Sequence, residues 1–157
     1  MDASERQECI ARYDGGYEAV AAALAGITPA EWDVREAPGE WSPREIVHHL
    51  ADAEMTAAVR LRLLIAEERP TIIAFDQRAL VDNLFPQRDP APSLEAFRAA
   101  RAATLPILQQ LTAEQWQRGG VHTEAGPFTA EDWLRLTSVH AHDHAAQIRR
   151  ARATAQP

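Results

Sequence analysis

The sequence predicts an all-α protein: a four-helix bundle with a long crossover connection between its second and third helices. Three observations carry that expectation. Four segments place apolar residues at alternating steps of three and four, the spacing of one helix face. Two of those segments open on a capping box, and no segment shows a competing strand pattern.

The first helix runs from Ser4, with Ile10, Tyr13, Tyr17, Val20 and Leu24 on one face, and stops at Gly26. The second opens in "WSPREIVHHL", where Ser42 caps, Pro43 suits the first helical position and Glu45 closes the box. Ile46, Leu50, Ala53, Ala57, Leu61 and Leu64 continue its period until Arg69 and Pro70. Residues 71–92 carry Pro86, Pro90, Pro92 and five charges, and read as an irregular connection with a short helical piece around "DQRALVDNL". A third helix is expected after Ser93, carrying Leu94, Phe97, Arg101, Leu105 and Leu108, with a kink near Pro106. The fourth starts at Thr129, boxed by Asp132, with Trp133, Leu136, His140, His144 and Ile148 along one side. The long connection suits a chain that crosses over rather than turning straight back. "ITPAEW" and "LTAEQW", each between two helices, are a faint internal echo.

A chain of 157 residues with 46% apolar content is the size of one domain, taken as 1–157. Sixteen basic against twenty-three acidic residues give a net charge of −7, which argues against nucleic acid and suits a small-molecule substrate. No apolar run is long enough for a membrane span and no leader pattern is visible, so a cytoplasmic protein is expected. Cys9 is the one cysteine, sits beside Glu8 and has no basic neighbour, and no GxSxG elbow occurs; a protein nucleophile is not expected. Trp32, Trp41, Trp116 and Trp133 lie at or just before helix starts and read as packing residues.

Half of the six histidines fall in "VHAHDHAAQI". A helix turns about 100° per residue, so His140 and His144 share the inward stripe while His142 faces the opposite way. His49 borders the inward stripe of the second helix; His48 faces out, and His48 and His142 are expected on the solvated surface. Histidines at i and i+4 form a natural chelate, and His49 counts to within about one turn of His140 from the two helix caps. Asp143 and Gln147 stand beside the pair, placed to orient or polarise ligands. Asp52 and Glu54 are expected at the surface or as partners of the ligands. Arg60 lies near the phase of His49, deeper along the same helix, and offers one contact to an anionic group.

"EWSPREIVHHLADAE" and "HAHDHAAQI" together resemble the DinB-like superfamily of metal-binding four-helix bundles, in particular its YfiT-like branch of metal-dependent hydrolases. The resemblance implies that His49, His140 and His144 are ligands of a divalent ion, zinc or nickel, with open positions for water. "GVHTEAGPFT" is also similar to the stretch before the last helix in that branch, which brings in His122. It further implies a homodimer. Three neutral ligands leave an ion able to activate water against an amide or ester, and equally able to present a thiol to an electrophile, as in thiol-transferase relatives. A metal that only staples the bundle is the third alternative; the three-ligand count tilts toward an open, reactive site. The fold does not choose between these reactions, and hydrolysis is the favoured expectation because it needs only metal-bound water, whereas no obvious basic cluster is visible to hold a thiol cofactor's carboxylates.

Overall fold

The structure, a computed structural model, describes residues 1–155. In order the chain forms α1 (Ala3–Asp14), α2 (Gly16–Leu24), α3 (Pro43–Ala66), β1 (Thr71–Ile72), α4 (Gln77–Asn83), α5 (Pro90–Leu108), α6 (Ala113–Trp116), β2 (Gly119–His122), β3 (Gly126–Thr129) and α7 (Ala130–Ala153). Both expected capping boxes are present: Ser42 with Glu45 opens α3, and Thr129 with Asp132 opens α7.

The first expected helix is two. It breaks at Gly15 because a buried side chain arrives there: Arg101 Nη2 donates to the Tyr13 carbonyl. A Cβ on Gly16 would lie 2.5 Å from that Nη2 and 2.9 Å from Ala141 Cβ, so only glycine admits the approach. The third helix starts earlier than expected, at Pro90, because Asp89 caps it by accepting the Ala91 N–H at 3.0 Å.

α3 and α7 are antiparallel neighbours, joined at 2.7 Å by Trp133 Nε1 donating to the Ala57 carbonyl. α3 and α5 run parallel, as His48 with Ser93 and Arg62 with Thr104 show. α7 runs parallel to α1 and α2, through Arg6 with Glu131 near its start and Arg152 with the Ala23 carbonyl near its end. Parallel neighbours demand a connection that travels back along the bundle, about 36 Å for the 24 residues of α3, and this is why a long crossover joins α3 to α5.

Both long connections are partly ordered by a small sheet. β1 pairs parallel with β2, and β2 antiparallel with β3, with Thr71 opposite Val121 and Gly119 opposite Thr129. Strands of two to four residues are too short for period-two patterning to register in the sequence. Gly120 is where the connections touch: its absent Cβ would stand 2.0 Å from the Pro70 carbonyl oxygen.

Two apolar clusters fill the bundle. One gathers Tyr13, Leu61, Leu64, Leu108 and Trp133; the other gathers Val20, Ile46, Leu50, Phe97 and Ile148. In α7 the buried face runs through Trp133, Leu134, Ser138, Ala141, Ala145 and Ile148, so Leu136, expected inside, is 61% exposed. Packing against α1, α2 and α3 together turns the buried face of α7 toward Leu134, Ser138, Ala141 and Ala145, which leaves Leu136 outside it.

Candidate functional site

α3 brings His49 and α7 brings His140 and His144 to one point. His49 Nε2 lies 3.1 Å from His140 Nε2, and His140 Nε2 lies 3.2 Å from His144 Nε2. One ring nitrogen of each falls within 4.8 Å of the others. The helices are antiparallel, so counting from two caps, as if both started at one end, is not the reason the residues meet. The register that sets Ala57 against Trp133 also sets His49 against His140.

Side-chain partners direct one of the three nitrogens. The Glu40 carboxylate can only accept, so Gln147 turns its Nε2 toward it at 3.1 Å, leaving Oε1 to accept from His144 Nδ1 at 2.9 Å. The proton of His144 is thereby held on Nδ1, and its Nε2 presents a lone pair to the cluster. The Trp41 ring packs over His49 and His144, with centroids 4.5 and 6.0 Å away.

Burial pushes His49 down to about 3, helped by His144 and His140. Burial also pushes His140 down to about 3, helped by His144 and by the Arg101 guanidinium. His144 is lowered by burial against the opposing pull of Gln147 and Asp143. All three imidazoles are therefore neutral at pH 7, the form in which histidine binds a metal ion.

The other expected residues divide. Gln147 joins the cluster directly; Asp143, exposed, borders the same cavity as His140. Arg60 lines that cavity too. His122 stands apart: its Nδ1 accepts the Glu124 and Ala125 N–H groups at 3.2 Å each, closing the turn between β2 and β3. His48 is buried rather than solvated, because its ring bridges Ser93 Oγ at 2.8 Å and the Arg88 carbonyl at 3.2 Å, tying α3 to the start of α5. His142 is half-buried, at 2.8 Å from the Arg12 carbonyl in the last turn of α1. Glu54 is buried and paired with Arg101, and Asp52 is half-buried 3.8 Å from Arg88.

The cavity beside His140 has a volume of about 370 Å³ and lies between α3, α7 and the two connections. Glu54, Phe75, Phe128 and Trp133 contribute to its wall. Sequence reasoning missed the roles of Trp41, Glu40, Phe75 and Phe128 at this site. Trp41 had one signal, its place immediately before the Ser42 cap, from which its ring reaches back over the first turns of α3. Phe75 comes from an irregular connection and Phe128 from the four-residue strand β3, and neither carries a periodic signal.

Comparison with known proteins fits this geometry. The family model of the DinB superfamily matches residues 12–148. The chain is 33% identical over 130 residues to the Bacillus subtilis protein named "Putative metal-dependent hydrolase YfiT", an alignment covering 80% of this chain and 72% of that one. It is 31% identical over 111 residues to "Putative metal-dependent hydrolase OB0782" of Oceanobacillus iheyensis, covering 70% of this chain but 64% of the relative, just under two thirds of its length. The solved structure of YfiT, which has "an unusual four-helix bundle topology", superposes with a TM-score of 0.91 at 27% identity, covering 100% of this chain and 91% of that one. A mycothiol-dependent maleylpyruvate isomerase shares the fold, with a TM-score of 0.72 at 14% identity over 91% of this chain and 60% of that one. With the family match extending over both histidine-bearing helices, the chain belongs to the DinB superfamily.

Proposed function

We propose that His49, His140 and His144 hold one divalent ion, zinc or nickel, and that the protein hydrolyses a small amide or ester. The observation that carries this reading is the convergence of three neutral imidazole nitrogens with no counter-charge among them. A tetrahedral ion with nitrogen ligands at 2.0–2.1 Å needs those nitrogens about 3.3 Å apart. The spacings of 3.1 and 3.2 Å already approach that. No fourth histidine, cysteine or carboxylate joins the group among the described residues, which is the ligand count of an open, reactive site rather than a closed structural one.

When bound, such an ion supplies Lewis acidity, lowering the pKa of a water and polarising a carbonyl group. The protein's own groups prepare for it. Gln147, held by Glu40, keeps the His144 lone pair aimed at the cluster. Trp41 packs over His49 and His144 on one side and restrains the orientation of their rings. The cavity beside His140 leaves room for a substrate on the other side. The names of the YfiT-like relatives support hydrolysis as the reaction class.

Elemental analysis after reconstitution with zinc or nickel tests the first half: about one ion per chain is expected, and below about a tenth of an equivalent the reading fails. A screen of the loaded protein tests the second half. Metal-dependent cleavage of esters or amides is expected; turnover of electrophiles only in the presence of a low-molecular-weight thiol would replace hydrolysis with thiol transfer.

A further inference from the structure

The cavity that starts at His140 ends at a cation. Arg60 lies eleven residues after His49 on α3, a rise of roughly 16 Å, and its half-buried guanidinium forms part of the cavity wall. It is held in place from two sides. Its carbon Cζ stands 5.1 Å from the centre of the Phe75 ring, and Nη2 donates to the Ile73 carbonyl. One backbone acceptor uses one of five N–H donors, and no carboxylate comes within 4 Å of Arg60 among the described residues. Burial lowers its pKa, with Glu124 partly offsetting the effect.

Glu124, exposed on the turn between β2 and β3, is the acid nearest in effect but forms no ion pair with Arg60, and the charges on the wall itself do not answer it. Glu54, also on the wall, is neutralised by Arg101 at 2.7 Å. Asp143 sits beyond His140 on α7, which runs antiparallel to α3, and so occupies the end away from Arg60. Between the two ends the wall is mainly apolar, with Ala53, Ala57, Phe128, Trp133 and Val139; of its polar members, Thr137 turns its hydroxyl back to the Trp133 carbonyl and Gln77 carries no charge. This also accounts for Leu136, whose 61% exposure is large for an apolar side chain on a helix; it forms the outer lip of the cavity.

We propose that this cavity binds small molecules with an apolar body and a terminal carboxylate, the carboxylate on Arg60 and the opposite end directed toward His140. A guanidinium with free forked donors matches a planar carboxylate, and a mainly apolar cavity of this volume suits the body. That such a molecule is the substrate rests on the reading of the three histidines as a reactive metal centre; its binding at Arg60 does not.

The test uses the full chain stripped of metal with a chelator, so that no ion can capture a carboxylate. Calorimetric titration compares 4-phenylbutyrate with its neutral isostere 4-phenylbutyramide. The acid is expected to bind about tenfold more tightly, a preference that Arg60→Gln reduces to less than about twofold and Arg60→Lys retains in part. Zinc stoichiometry, measured on the same variants, should stay at the parent value; its loss would speak to the histidine cluster and not to the anion site. Equal affinity for acid and amide, a preference that survives Arg60→Gln, or no binding of either probe overturns the proposal.

Discussion

Two clusters of buried polar side chains sit side by side in this bundle, and they are built on opposite terms. In one, Glu54 accepts from the Tyr13 hydroxyl and, at 2.7 Å, from Arg101 Nη1, while Arg101 Nη2 donates to the Tyr13 carbonyl. Its guanidinium also lies 3.8 Å from the Tyr13 ring centre and 5.2 Å from that of Phe97. Opposite charges meet and only Arg101 Nε is left without a partner. In the other, three neutral rings turn nitrogens toward one another with no acid between them. The difference is one of completeness: a buried network that satisfies itself holds helices together, whereas ring nitrogens that converge with no acid among them are, on the reading proposed above, completed by a bound ion.

The largest expected effect breaks the closed cluster. Arg101→Met strands the buried Glu54 charge and should cost about 3–5 kcal/mol of stability, read as a shift of the urea midpoint; His140→Ala should cost clearly less in the metal-free protein. If the two variants are equally destabilised, the contrast between the clusters is lost. Next come the ligands. His49→Ala should weaken zinc binding by at least about a hundredfold, and Gln147→Ala, which frees the His144 tautomer, by about ten- to a hundredfold. Its neighbour in sequence gives the control, since His48→Ala should leave zinc affinity unchanged while lowering stability through the loss of the Ser93 bridge.

Acid sharpens the contrast from another side. His49 and His140 are pushed from 6.5 to about 3 in the folded chain. Below pH 6.5 the unfolded chain therefore takes up protons that the folded one refuses. Stability from these groups is complete above pH 6.5 and falls as pH drops toward 3, by up to about 1.4 kcal/mol per pH unit for each histidine. Denaturation of the metal-free protein at pH 7.5, 6.0 and 5.0 should show the decline, and His140→Ala should flatten it. An identical slope in parent and variant would mean that His140 is not held neutral by the fold.

Much of the site was legible in the chain because it rests on local geometry. The i, i+4 spacing of His140 and His144 and the capping box ahead of His49 depend on a few consecutive residues, and helix phase then turns these three side chains inward. The same phase argument failed for His48, Glu54 and Leu136. α3 is buried against α5 as well as α7, so the face carrying His48 meets Ser93, and Glu54 meets Arg101, neither of which a single helix can announce. Period alone points Leu136 inward, but it edges a cavity that exists only once the connections have folded over it.

The sequence by itself determined the helices, their starts and the inward set of histidines, since capping and a period of 3.6 are properties of short segments. It also carried the crossover, because proline-rich residues between two strong helix patterns leave room for a return path. Only the tertiary structure decided that α3 and α7 meet antiparallel, and hence which turn of one faces the histidine pair of the other. It decided the break at Gly15, where the Arg101 side chain from a distant helix claims the Tyr13 carbonyl. And it decided the cavity, whose walls come from α3, α7, Phe75 and Phe128, because a concave surface belongs to the packing of several segments and is written in none of them.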